Sequence, residues 1–167
     1  LYVSGESVHD LDEEQRLEVL YSFGLIDSLA EEGYDDFSML AAMICDTSMA
    51  MLSLVDRQCN WFISRKNVKT PSLPRDSWFC EKAMLSNKKL FEVQDVLLDP
   101  FYSKMSPVID EKSIRFYAAW PLVNSEGYEL GTLCVLDTVP KILSSEQRKG
   151  LEALGKRLTM QMRMGLQ

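Results

Sequence analysis

A chain of 167 residues with 18 Lys and Arg against 25 Asp and Glu carries a formal net charge of −7, a balance that repels nucleic-acid phosphate and argues against a nucleic-acid partner. Hydrophobic residues at 46% and charged residues at 26% exclude disorder as the main state, and a chain of this size buries one sizeable core rather than two. One histidine, His9, and no GxxxxGK[ST] or GxGxxG segment leave triad, Cys-His, His-metal and phosphate-loop chemistry with almost no material.

Residues 1–10 read as a polar leader. Asp10 with Glu13 three residues on resembles a capping box, and Leu17, Leu20, Tyr21 and Gly24 recur at helical spacing, which predicts a first helix ending near Gly24. A second helix is predicted from about Gly33 to Asp46, with Phe37, Leu40, Ala41 and Ile44 as its apolar stripe. Ala50 to Val55 and Asn60 to Ser64, separated by the turn-like segment from Asp56 to Cys59, form a predicted hairpin. A loop with Pro71 and Pro74 follows, then a short helix through Cys80 to about Leu85 that Asp76 or Ser77 is placed to cap.

Leu90 to Val93 reads as a brief strand and Asp95 to Asp110 as an irregular excursion; Asp99-Pro100 starts a turn there. Ile114 to Val123 and Glu129 to Leu136 are the clearest strands, joined across Asn124 to Gly127 as a second hairpin. Ser144 with Gln147 makes a capping box for a last helix carrying Leu151, Leu154 and Leu158. Two hairpins between amphipathic helices predict an α+β layer structure: an antiparallel sheet with the terminal helices on one face. No apolar run approaches the roughly 18 residues of a membrane span, and LYVSGESVHD lacks the regions of a signal peptide. A cytoplasmic chain with no membrane partner is expected. Cys45, Cys59, Cys80 and Cys134 have no CxxC spacing, which suits reduced thiols.

Taken in order, RLEVLYSFGLIDS, MLSLVDRQCNWFISR, SWFC, FEVQDVLLDPFY, IRFYAAWPLV and GYELGTLCVLDTVP resemble a bacterial GAF domain over nearly the whole chain. The resemblance implies a five- or six-stranded antiparallel sheet with the first, second and last helices on one side. On the other side the middle helix and the excursion would cover a small-molecule pocket. It implies one such domain over 11–164, whose last helix continues to an effector such as a diguanylate cyclase, histidine kinase or phosphodiesterase module. Ala119 and Trp120 stand where the family carries a glycine and a small residue, so the indole is expected to shrink or reshape the cavity. The Asn-Lys-Phe-Asp-Glu signature of cyclic-nucleotide-binding members is incomplete, since Asn87, Lys88, Phe91 and Asp95 are followed by Val96. The Cys-His pair that attaches bilin pigments is absent. No cofactor and no metal is expected.

Strand alternation turns Leu133 and Val135 to the helices and Thr132 and Cys134, with Ser53, to the other face. Such small polar residues suit a ligand pocket or a satisfied core. Arg115 and Tyr117 share a face opposite Ile114, Phe116 and Ala118, and a buried arginine needs a partner, either Asp95 or an anionic ligand. Arg75 reads as surface charge. Cys80 in the first turn of the middle helix is placed for a thiolate or for a buried small hydrophobe. Trp61, Phe62, Trp78, Phe79 and Phe101 are aromatics that suit core packing or the wall of a cavity. Asp56, Asp95 and Asp137 close strands or open turns. The candidate pocket is thus Ser53, Trp61, Phe79, Cys80, Asp95, Phe101, Arg115, Tyr117, Thr132 and Cys134. The expected role is a non-catalytic sensor that binds an unidentified small molecule, pairs as a homodimer and signals to an effector domain. The rival readings are a dimerisation module without ligand and a thiol enzyme of the methionine sulfoxide reductase kind.

Overall fold

Strict alternation along one central strand divides the molecule in two. In β1 (Met49–Val55), Ala50, Leu52 and Leu54 join the apolar cluster of the terminal helices, whereas Met49, Met51 and Val55 join a second cluster on the opposite face. A two-layer core on both sides of a sheet follows from this pattern, with every residue of the strand buried. The computed structural model describes residues 4–22, 32–86 and 89–164.

The other elements are α1 (Ser4–Ser22), α2 (Glu32–Cys45), β2 (Cys59–Lys66), β3 (Ser72–Pro74), α3 (Cys80–Met84) and β4 (Phe91–Val93). After them come α4 (Tyr102–Met105), β5 (Val108–Ile109), β6 (Lys112–Ser113), β7 (Phe116–Val123), β8 (Glu129–Asp137) and α5 (Ser145–Met164). Six strands form an antiparallel sheet in the order β3-β2-β1-β8-β7-β4, and β5 and β6 pair separately. The expected α+β architecture is therefore present: α1, α2 and α5 pack on one face through Leu17, Leu20, Phe37, Ala41, Leu151 and Leu158, and α3 with the excursion covers the other.

Local chemistry sets several boundaries as the residues imply. Ser144 and Gln147 form the reciprocal capping box of α5: the Ser144 N–H donates to Gln147 Oε1 at 2.8 Å, and the Gln147 N–H donates to Ser144 Oγ at 3.1 Å. Two glycines let α5 sit close to its neighbours. A Cβ on Gly155 would run into the Trp120 ring, and one on Gly150 would lie 2.8 Å from Ile44.

Other expectations are corrected. Asp10 does not mark the start of α1, which already runs from Ser4; Glu13 is spent on arginines instead. The predicted end of that helix at Gly24 lies outside the described residues. Asp76 and Ser77 do not cap α3. Arg75–Ser77 is a separate 3-10 turn, Ser77 Oγ donates to the Pro74 carbonyl, and the residue before α3 is Phe79. Ser72–Pro74, read as loop, adds an edge strand to β2, a position that tolerates proline because its outer side needs no ladder bond. Leu40 lies outside the buried stripe of α2, which is Tyr34, Phe37, Ser38, Ala41, Ala42 and Cys45. Ile114 precedes β7, so alternation does not govern it, and it packs on the α3 side with Tyr117.

Candidate functional site

The α3 face of the sheet gathers small polar groups under one short helix. Antiparallel register sets Ser53 of β1 beside Thr132 of β8, and Met51 beside Cys134. β7 contributes Tyr117 and Ala119 to the same face, with Ala119 opposite Cys134. Cys80, the first residue of α3, is fully buried above them. Its sulfur lies 3.5 Å from Tyr117 Oη, and Thr132 Oγ1 donates to it at 3.7 Å. Cys134 donates instead to the Met51 carbonyl at 3.5 Å.

Burial pushes the Cys80 thiol up, but the polar side chains of Cys134, Ser53, Tyr117 and Thr132 around the sulfur favour the thiolate and bring it down to about 7. Burial drives Cys134 and Tyr117 the other way, well above their ordinary values, and a charge on Cys80 would raise them further. Of the three groups, Cys80 is the one whose surroundings favour the charged form.

The space expected for a ligand is filled by aromatic rings. Phe79 stacks on Tyr117 with centroids 4.2 Å apart and planes 7° apart, and Trp78 and Tyr102 close around it at 5.1 and 4.5 Å. Within this packing three buried groups find no hydrogen-bond partner: Ser53 Oγ, Trp78 Nε1 and Tyr102 Oη. Asn60 Oδ1, on β2, is a fourth.

Six of the ten predicted residues thus meet in one cluster: Ser53, Phe79, Cys80, Tyr117, Thr132 and Cys134. The other four do not join it. Arg115 and Asp95 pair with each other in a bidentate bridge, both contacts 3.0 Å, at the edge of the domain, so the protein itself neutralises the arginine. Trp61 leans outward and donates to Asp56 at 2.7 Å, because its neighbour Phe62 takes the inward position. Phe101 is 49% exposed beneath the Lys82 ammonium at 3.8 Å. Trp120, expected to encroach on the cavity, faces the opposite layer against α5, and Ala119 is the residue that borders the cluster.

Asp56, Asp95 and Asp137 take the structural roles assigned to them, accepting backbone N–H groups of Gln58 and Cys59, of Leu97, and of Ser48 and Thr138. Asp99 likewise accepts from Phe101 and Tyr102. Among the described residues all four cysteines are free thiols, no group of three or more His, Cys, Asp or Glu could hold a metal, and no helix is long and apolar enough to cross a membrane.

No family model matches the chain. It is 36% identical over 130 residues to a cyclic di-GMP phosphodiesterase of Pseudomonas aeruginosa, an alignment that takes in 78% of this chain but spans only 22% of that relative's length. The GAF domain of an Acinetobacter phosphoenolpyruvate-protein phosphotransferase superposes with a TM-score of 0.65 over 93% of each chain, at 15% identity. The fold is that of a GAF domain. A free methionine-R-sulfoxide reductase from Neisseria meningitidis also superposes, with a TM-score of 0.62 at 15% identity, over 92% of this chain and 87% of that one.

This GAF-like fold carries two features that the sequence pattern hides. Tyr102 walls the cluster beside Trp78, which was among the expected aromatics, yet Tyr102 sits in a segment without regular period, and only the fold brings it within reach. A charged bracket beside the cluster was also missed. Arg16 of α1 is 4% exposed; it donates to both Glu13 oxygens, at 3.0 and 3.1 Å, and to the Glu129 carbonyl at 3.1 Å. Arg75, expected as surface charge, is mostly buried and bridges Glu13 at 2.6 Å and Glu81 of α3 at 2.8 Å. Partial burial raises the Glu13 carboxyl, but the two guanidinium groups outweigh it and hold the group down at about 2. Asn87 and Lys88 of the incomplete cyclic-nucleotide signature lie outside the described residues.

Proposed function

We propose that the chain is a sensory domain that binds a small molecule between the sheet and α3 and passes a conformational bias to an effector module through α5. The observation that carries this reading is the set of unpartnered polar atoms on the α3 face, Ser53 Oγ, Trp78 Nε1 and Tyr102 Oη. Buried polar groups are paired in settled interiors, and leaving one unpaired costs about 1–3 kcal/mol. A core that tolerates three of them around one aromatic stack has the character of a closed binding site. A ligand would enter by moving Phe79 off Tyr117 and would satisfy those groups. Output then follows from differential affinity for the open and closed packings, since a ligand shifts an equilibrium only by that difference.

Similarity to part of a cyclic di-GMP phosphodiesterase supports an effector of that kind. The test is a thermal-shift screen with a metabolite panel: a binder raises the melting temperature saturably, and the rise is reduced in Trp78→Phe or Ser53→Ala. A panel that leaves the melting temperature unmoved, with both variants as stable as the parent, would sink this reading.

One observation favours a second reading. The thiol of Cys80 is depressed by its neighbours, and a sulfoxide reductase shares the fold. Against it stands the complete burial of the sulfur under α3, since a reactive thiol needs access. Assay with free methionine-R-sulfoxide and a dithiol reductant decides it: turnover abolished by Cys80→Ser would establish the enzyme, and no turnover removes it.

A further inference from the structure

The make-up of the cluster under α3 narrows what it can hold. Phe79 lies between the 3-10 turn Arg75–Ser77 and the five-residue α3. It is fully buried, and three rings enclose its own: Tyr117 stacked face to face, with Trp78 and Tyr102 at the sides. Behind them Phe91 meets Tyr102 and Tyr117 edge-on, with centroids 6.2 and 6.0 Å away. Moving Phe79 aside leaves a slot bounded by aromatic rings. A flat ring refills it best, because an aliphatic group forfeits the stack on Tyr117.

The polar groups around the slot set the rest. Register puts Ser53 opposite Phe62, and Asn60 opposite Val55 and Leu73, so both belong to the α3 face. Trp78 Nε1 is a donor without an acceptor and Asn60 Oδ1 an acceptor without a donor, while the unpartnered hydroxyls of Ser53 and Tyr102 can serve as either. An occupant that pairs these groups carries an acceptor and a donor. Net charge has no counterpart there. Among the described residues the one buried charged side chain is Arg16, and Glu13 and the Glu129 carbonyl already hold it. The part-buried Arg75 and Arg115 are likewise taken, by Glu13 and Glu81 and by Asp95. A carboxylate or phosphate in the slot would meet no free buried cation, and burying an unpaired charge costs far more than burying a neutral polar group. An ammonium only donates, and would leave Trp78 Nε1 unmet.

We propose that the slot takes an uncharged aromatic molecule carrying a hydrogen-bond acceptor together with a donor, as an aryl amide does. Its ring replaces Phe79 on Tyr117, its acceptor meets Trp78 Nε1, and its donor meets Asn60 Oδ1 or a hydroxyl. Nucleotides fall outside this class because of their phosphates. The inference rests on the reading of this face as a binding site, to which it adds the chemical class of the ligand.

Isothermal titration of the 167-residue chain and of Phe79→Ala with benzamide, benzoate, benzylamine and toluene tests the proposal, since the four probes share one ring and differ in charge and hydrogen bonding. Benzamide should bind both proteins, and roughly tenfold or more tightly to Phe79→Ala, where no ring has to be displaced. Phe79→Leu replaces that variant if the alanine chain does not fold. Benzoate and benzylamine should bind at least about tenfold more weakly than benzamide. Trp78→Phe should lower benzamide affinity about tenfold and leave toluene within about twofold. Failure of benzamide to bind either protein, a charged probe that binds as tightly, or a Trp78→Phe variant with unchanged benzamide affinity would each overturn the class. The sensory reading fails on a different measurement, a metabolite panel that moves no melting temperature; a panel binder that is charged or lacks an aromatic ring sinks the class alone.

Discussion

Glu13 ties three elements together. It holds the buried Arg16 and bridges through Arg75 to Glu81, so α1, the edge of β8 and α3 share one carboxylate. Glu13→Gln should cost about 2–3 kcal/mol at neutral pH, because a buried guanidinium is left without its counter-charge. The sign with pH is fixed by the depressed carboxyl. Its contribution is complete above the ordinary carboxylate range and is lost as pH falls towards about 2. The gap between parent and variant in urea unfolding should therefore close on acidification, and a gap that persists at pH 2 would refute the assignment. Phe79 is the second critical residue. Phe79→Ala removes the ring stacked on Tyr117 and should cost about 3–5 kcal/mol, leaving a space that a small aromatic compound refills with a measurable rise in melting temperature. How far single residues were legible depended on their neighbours. Strand parity sufficed for Thr132 and Cys134, whereas Arg75 read as surface charge because its partner Glu13 comes from a distant part of the chain and Glu81 meets it only through the turn before α3.

At the scale of elements, sequence period predicted the long segments well, and local chemistry placed some of their ends. Ser144→Ala should lower stability by about 1 kcal/mol, since it removes one half of the α5 capping box, and thermal unfolding checks it. Gly155→Ala probes the contact between α5 and β7. Helix propensity alone would favour alanine, but the added methyl collides with Trp120, so a net loss of about 1–3 kcal/mol is expected. A stabilised variant would mean that α5 stands further from the sheet. Short elements were harder to read. The three-residue β3 and the 3-10 turns at Arg75–Ser77 and Val96–Leu98 are too brief to show a period, and tertiary hydrogen bonds rather than propensity create them. The supposed Asp10 cap failed for a related reason: a cap motif is informative only where the helix has not already begun.

For the whole molecule the division into two unlike faces is the central fact. One face of the sheet is closed by α1, α2 and α5 with mainly aliphatic contacts; the other holds thiols, hydroxyls and stacked aromatics under a five-residue helix. A short helix over an interior with unpaired polar groups is the part of such a fold with the least to lose on opening. Hydrogen exchange should accordingly find α3 and the Val96–Leu98 turn opening at lower free energy than β1 and β8. Protection of α3 equal to that of the central strands would argue against a closed site there. Alternation and capping, which act between residues a few positions apart, were determined by the sequence alone, and with them came the antiparallel hairpins, the α+β class and the inward set Ser53, Thr132 and Cys134. What only the tertiary structure decided is how that space is occupied. Phe79 fills it, Trp120 turns away, and Arg115 is satisfied by Asp95, because side-chain packing and charge pairing depend on distances between segments that no local pattern encodes.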